Sequence, residues 1–196
     1  MNTSSPYMPY LIAAVILTVV LYFLYARIIQ RKNTALAALS SIEVQLRKRY
    51  DLIPNLLKLA KRYMEHERSL IEEVTALRAQ AANATQNKSP EGAQKLFEAD
   101  GAFMRKFGSL NVAMENYPEL KADSTVKQAM RSFADVEDDI SAARRYYNSA
   151  VTDLNNAIEI FPGSLVAPLA RAKSMPFYED SDKVEISKSL NTDDYI

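Results

Sequence analysis

Every charged residue in this chain lies beyond position 26. All 24 basic and 24 acidic residues follow the stretch YLIAAVILTVVLYFLYA, Tyr10 to Ala26, and the flank ahead of it, MNTSSPYMP, is polar but uncharged. An apolar run of about 17 to 20 residues is the length a helix needs to cross a bilayer's hydrocarbon core. Tyr7, Tyr10, Tyr22 and Tyr25 sit toward its two ends, where rings with a polar tip favour the membrane–water interface. A cleaved signal peptide would carry a basic leading region and a small-x-small cleavage site, and neither stands before Arg27. The expectation is therefore a retained single-pass anchor.

Orientation follows from the flanks. No Lys or Arg precedes the apolar run, whereas Arg27, Arg31 and Lys32 follow it closely. Positive-inside bias then puts the N-terminus outside and residues 27–196 in the cytoplasm, with those three side chains placed to touch headgroups. The chain divides into a short outer segment (1–9), a transmembrane helix (10–26), a cytoplasmic helical bundle (27–179) and a disordered tail (180–196).

Beyond the anchor, equal numbers of basic and acidic residues leave no net field to attract nucleic acid. The absence of cysteine excludes disulfides, thiol catalysis and cysteine-ligated metal. With only 4 glycines and no strand pattern, the composition points to helix.

Ile28, Ala35, Leu39, Ile42 and Leu46 recur at helical spacing, and nothing after Ala26 breaks the chain, so the anchor should run straight into the bundle. Pro54 interrupts that pattern. In a continuous helix it leaves the carbonyl of Tyr50 without a partner and clashes with it, at a cost of about 3 kcal/mol. The helix should restart at Asp51, with Pro54 in its first turn, or bend there. A second periodic segment runs from Leu56 to Ala81. After a polar loop at 83–92, Ser89-Pro90-Glu91 opens a third helix on Leu96, Phe97, Phe103, Met104, Phe107, Leu110 and Met114, which Tyr117-Pro118 stops. Asp123 or Ser124 then opens what reads as the longest element, ending at Phe161 before Pro162-Gly163. Val126, Phe133, Ile140, Tyr147, Leu154 and Phe161 fall seven apart, with Met130, Glu137, Arg144, Val151 and Ile158 as the companion series. Such a coiled-coil-like repeat marks long helices packed at a shallow angle. The segment after residue 172 shows mixed charge and no periodicity, and reads as disordered.

In this order the segments resemble the LemA family of bacterial membrane proteins. The resemblance is carried by the anchor, IEVQLRKRYDLIPNLL (42–57), YMEHE (63–67), ENYPELKA (115–122), VEDDISAARRYYNSAV (136–151), IEIFPGSLVA (158–167) and MPFYE (175–179). It implies an all-α fold, an N-terminal transmembrane helix followed by a long antiparallel bundle, in the bacterial inner membrane. It also implies no known enzymatic activity, and its magnetosome-associated relatives suggest a link with membrane organisation.

Candidate chemistry is sparse. His66-Glu67 starts like a zinc-protease motif, but the second histidine that motif requires is Leu70, and His66 is the protein's single histidine. The same count excludes a di-iron centre built from paired Glu-x-x-His motifs. The acidic run Asp135, Glu137, Asp138, Asp139 lacks the carbonyl ligands of a calcium loop and reads as a solvated face. No metal, cofactor or catalytic set is expected. What stands out is Glu137 and Arg144 inside an apolar series, since buried charges need partners. The charged flank of Pro54 could supply them: Arg47 or Arg49 for Glu137, and Asp51 for Arg144. The expected role is a non-enzymatic scaffold that associates with itself on the membrane. The alternative is an adaptor that holds a protein partner through its C-terminal tail.

Overall fold

The computed structural model describes residues 7–84 and 88–179, which among them form helices and turns but no strand. The order is α1 (Met8–Tyr63), α2 (Arg68–Ala84), α3 (Pro90–Ala113), α4 (Pro118–Ala122), α5 (Ser124–Glu159) and α6 (Gly163–Val166). Short 3-10 turns at Glu65–Glu67 and Met114–Asn116 join them. The expected tail, 180–196, lies outside the described residues.

The apolar segment and the first bundle helix are one element. α1 runs 56 residues without a break, longer than the 36 of α5, so the longest helix is the first and not the heptad helix. Its early part is long and apolar enough to cross a membrane and is almost wholly exposed. Burial begins at Leu24 and is complete by Ile28.

The expected restart at Asp51 is corrected: the helix passes through the proline and ends ten residues later at Met64, whose φ −114°, ψ 61° leaves helical geometry. The orphaned carbonyl of Tyr50 explains how. The Nε–H of Arg78, on α2, donates to it at 2.9 Å, and the same guanidinium lies 3.6 Å from Asp51. A side chain from the next helix replaces the hydrogen bond the proline removes. The real reversal is the YMEHE turn, where buried Met64 holds the corner and His66 is exposed.

α5 packs antiparallel to α1 along most of its length. Tyr63 with Asp123, Arg49 with Glu137 and Arg31 with Asp153 fix the register, residue number falling on one helix as it rises on the other. Asp123 caps α5 by accepting from the amides of Thr125 and Val126, and Ser89 caps α3 by accepting from Gly92. The heptad residues Val126, Phe133, Ile140, Tyr147 and Leu154 are buried, but α5 ends at Glu159 and leaves Phe161 74% exposed beyond it. With Ile42, Leu46 and Ile53 of α1 and Phe103 and Leu110 of α3 they form one core. Burying each such aliphatic side chain contributes about 1.5–3 kcal/mol.

Residues 173–179 are not the loose chain their composition suggests. They form a strap that runs from the α6 end back along α5. The side chain of Asn155 takes both backbone groups of Met175, at 2.9 and 3.0 Å, and Asn148 does the same to Tyr178, at 2.9 and 3.0 Å. Seven helical residues rise about 10 Å, which is also the reach of three extended ones, so two asparagines a heptad apart match every third strap residue. Tyr147 Oη adds a bond to the carbonyl of Pro176 at 2.8 Å.

Candidate functional site

The middle of the bundle holds a polar centre built from four separate segments. α1 contributes Arg49 and Tyr50, α3 contributes Asp100, α5 contributes Glu137 and Arg144, and the strap contributes Tyr178. Arg49 and Asp100 are the two fully buried charged residues among those described, at 0% and 1% exposure. Neighbouring positions 49 and 50 both face inward because this turn of α1 is covered by α3 and α5 together.

The carboxylate of Asp100 is the hub. Its Oδ1 accepts from Arg49 Nη2 and, at 2.5 Å, from the Tyr50 hydroxyl, while Oδ2 accepts from the Tyr178 hydroxyl. The second Arg49 amino group donates to Glu137 Oε1 at 2.6 Å. Aromatic rings enclose the guanidinium, with the centroids of Tyr50 and Phe103 at 5.5 and 5.6 Å, close enough for cation–π attraction. Arg144 stacks over the Tyr178 ring at 4.4 Å, and Phe97 packs against the rings of both Tyr178 and Tyr147.

Electrostatics lock the protons in place. Burial works against the Arg49 charge, but Asp100 and then Glu137 outweigh it and hold the guanidinium above its ordinary value. Burial first, and the Asp100 carboxylate second, push the hydroxyls of Tyr50 and Tyr178 far up. Groups shifted this way keep their protons at neutral pH.

Of the anticipated partners, Arg49 and Glu137 meet. Arg47 is exposed, its charge acting on Glu43 of the same helix. The expected pairing of Arg144 with Asp51 is corrected: Asp51 is turned outward to Arg78, while Arg144 lies against Tyr178. The two positions lie on opposite sides of the bundle because α1 turns about 100° per residue, which separates Asp51 from Arg49 by more than half a revolution. Arg31 pairs with Asp153 and Lys32 Nζ donates to the carbonyl of Arg171 at 3.2 Å, so both have partners within the bundle; Arg27 is exposed. Asp135, Asp138 and Asp139 carry no shared ligand geometry, and no cluster of three metal-ligating side chains occurs among the described residues.

Tyr50, Asp100 and Tyr178 are the residues of the centre that sequence reasoning missed, though for Asp100 a signal existed. It stands in the series Leu96, Asp100, Phe103, Phe107, Leu110, Met114, a carboxylate on an apolar helix face. Such a residue is buried only if charged or hydroxyl partners meet it.

The chain is similar to several curated proteins. It is 25% identical over 177 residues to the magnetosome protein MamQ of Magnetospirillum gryphiswaldense, covering 80% of this chain and 65% of that protein. Magnetosome protein MamQ 2 of Paramagnetospirillum magneticum is 25% identical over 161 residues, covering 72% of this chain and 59% of that one. Protein LemA of Metamycoplasma hominis is 25% identical over 181 residues, covering 89% and 80%. The chain thus spans somewhat under two thirds of the length of the MamQ proteins it matches. A sequence model of the LemA family matches residues 38–190. That match runs from Ala38 in α1 through Arg49, Asp100, Glu137 and the strap tyrosine, and the chain belongs to the LemA family.

Proposed function

We propose that this protein is a non-enzymatic, single-pass scaffold of the bacterial inner membrane that associates with itself and organises or shapes that membrane. Its N-terminus lies outside and residues 27–196 lie in the cytoplasm. The observation that carries the reading is the continuity of α1, unbroken from Met8 to Tyr63. A bundle fused to its anchor through one helix, with the proline position secured by Arg78, transmits orientation from membrane to bundle, which a flexible linker would not. An open groove lined by Tyr22, Tyr25, Ala26, Asn33, Ala37 and Tyr146 leaves a long face of α1 available to a second copy. The name that the MamQ relatives carry, magnetosome protein, fits a part in building a cellular structure better than turnover of a substrate.

The adaptor alternative requires MPFYEDSDKV to be a free recognition peptide. Met175, Pro176 and Tyr178 are bound to α5, while Phe177 between them is 45% exposed and the stretch from Asp180 onward lies outside the described residues.

Light scattering on the full-length protein in mild detergent tests the scaffold reading. A particle of many subunits that survives deletion from Asp180 onward is expected. A monomer or dimer would count against self-assembly.

A further inference from the structure

The bundle's membrane-proximal end carries apolar side chains that no described part of the chain covers. Ile160, Phe161, Leu165 and Leu169 are 61%, 74%, 68% and 79% exposed. They occupy the corner where α5 gives way to α6. Leu165 and Leu169 stand exposed, while Val166, Ala167 and Ala170 are buried. The inward residues pack on Ile28 of α1, with Leu24 and Ile29 beside them.

That packing sets the corner's height. Phe161, Pro162 and Ile160 line a cleft whose other wall is Leu24, Arg27 and Ile28. Leu24 belongs to the uncharged run that ends at Ala26. If this run lies in hydrocarbon, the apolar residues that share a cleft with Leu24 lie at the membrane surface, and Arg31, Asp153 and Asn156 line the same cleft with polar groups. Nearby Arg27 is a cation at headgroup level, and Arg171 and Lys173 follow the corner directly in sequence. An exposed apolar corner flanked by basic residues is the make-up of a segment that sits in the interface of an anionic membrane.

We propose that the corner from Ile160 to Leu169 is a second membrane contact, inserted into the interface of the same bilayer that α1 crosses. The occupant is lipid: acyl chains against Phe161, Leu165 and Leu169, and anionic headgroups against Arg27. Two insertions prevent rotation of the bundle about α1, so one defined face of the bundle meets its neighbours along the membrane. This inference rests on α1 spanning the bilayer, and the experiment separates the two ideas.

The protein has no tryptophan, so a single substitution creates a unique fluorophore. Full-length Phe161→Trp, Leu165→Trp, Leu17→Trp and Val112→Trp would each be reconstituted into phosphatidylcholine–phosphatidylglycerol vesicles containing brominated lipid. All four positions are exposed, so folding is not at stake. Val112 lies at the far end of the bundle and serves as the aqueous control. The expected result is loss of most emission for Leu17→Trp, Phe161→Trp and Leu165→Trp, with Val112→Trp unchanged. Quenching of Leu17→Trp alone overturns the second contact and leaves the anchor standing. Failure to quench Leu17→Trp overturns both. Shielding of Phe161→Trp from bromine and from aqueous acrylamide alike would overturn the lipid assignment in favour of contact with a second copy.

Discussion

Arg49 and Asp100 form an ion pair with essentially no solvent exposure, linking the first and third helices across the centre of the bundle. Such a pair gains little over an apolar substitute, yet breaking it leaves a charge stranded, at about 3–5 kcal/mol. Asp100→Leu and Arg49→Met should each lower stability by about that much in urea unfolding of the full chain, and the double variant by well under the sum. Strict additivity would show that the two residues are not coupled.

Arg78 and Pro54 should be coupled through the Tyr50 carbonyl. Arg78→Met leaves that buried acceptor unmet and should cost about 1–3 kcal/mol. In a Pro54→Ala background the backbone amide restored at position 54 can satisfy the carbonyl, so the same substitution should cost much less. Equal losses in both backgrounds would mean that Arg78 acts only through Asp51.

The strap should loosen when its clamps are cut. Asn148→Ala and Asn155→Ala each delete two hydrogen bonds to strap backbone, a loss of about 1–3 kcal/mol. Amide exchange at Tyr178 should accelerate in the first variant and at Met175 in the second, while α1 core amides stay protected. Unchanged exchange at both would show that the ring packing of Tyr178 alone holds the segment.

Alkaline pH should weaken the fold through tyrosine. Tyr50, Tyr147 and Tyr178 are all raised, by burial first. A raised acid keeps its proton in the folded state, so its contribution is complete below the unfolded value near 10 and is lost as pH climbs past it. Each tyrosine adds about 1.4 kcal/mol per pH unit to that decline. Tyr178→Phe should start less stable at neutral pH and show a shallower alkaline slope by that amount; identical slopes would contradict the burial of its hydroxyl.

Two glycines should respond oppositely to alanine. A Cβ at Gly163 would collide with the backbone carbonyl oxygen of Ala157, so Gly163→Ala should displace α6 and cost about 1–3 kcal/mol. Nothing lies near the Cβ position of Gly108, in the interior of α3, where alanine should add about 0.5–1 kcal/mol. Thermal melts of the two variants would check both signs.

Much of the architecture is local and therefore readable from residue order. The uncharged run, the caps at Ser89 and Asp123, the heptads from Val126 to Leu154 and the exposure of His66 depend on spacing within one helix or one turn. The charges at Glu137 and Arg144 also announce that a polar centre must exist, because ionised groups on an apolar stripe need partners.

What sequence alone determined, then, was which helix faces are apolar, where an uncharged segment long enough for a membrane lies, and which charges stand on the wrong face. Only the tertiary structure decided whether Pro54 ends the helix, because Arg78, 24 positions later, supplies the missing donor. It also decided that Asp100 and not Asp51 completes the centre, and that a strap with no periodicity of its own is held by two asparagines of α5. The reason is common to all three. Periodicity reports which way a side chain points along its own helix, whereas a hydrogen bond between distant segments depends on how those helices are rotated and registered against each other.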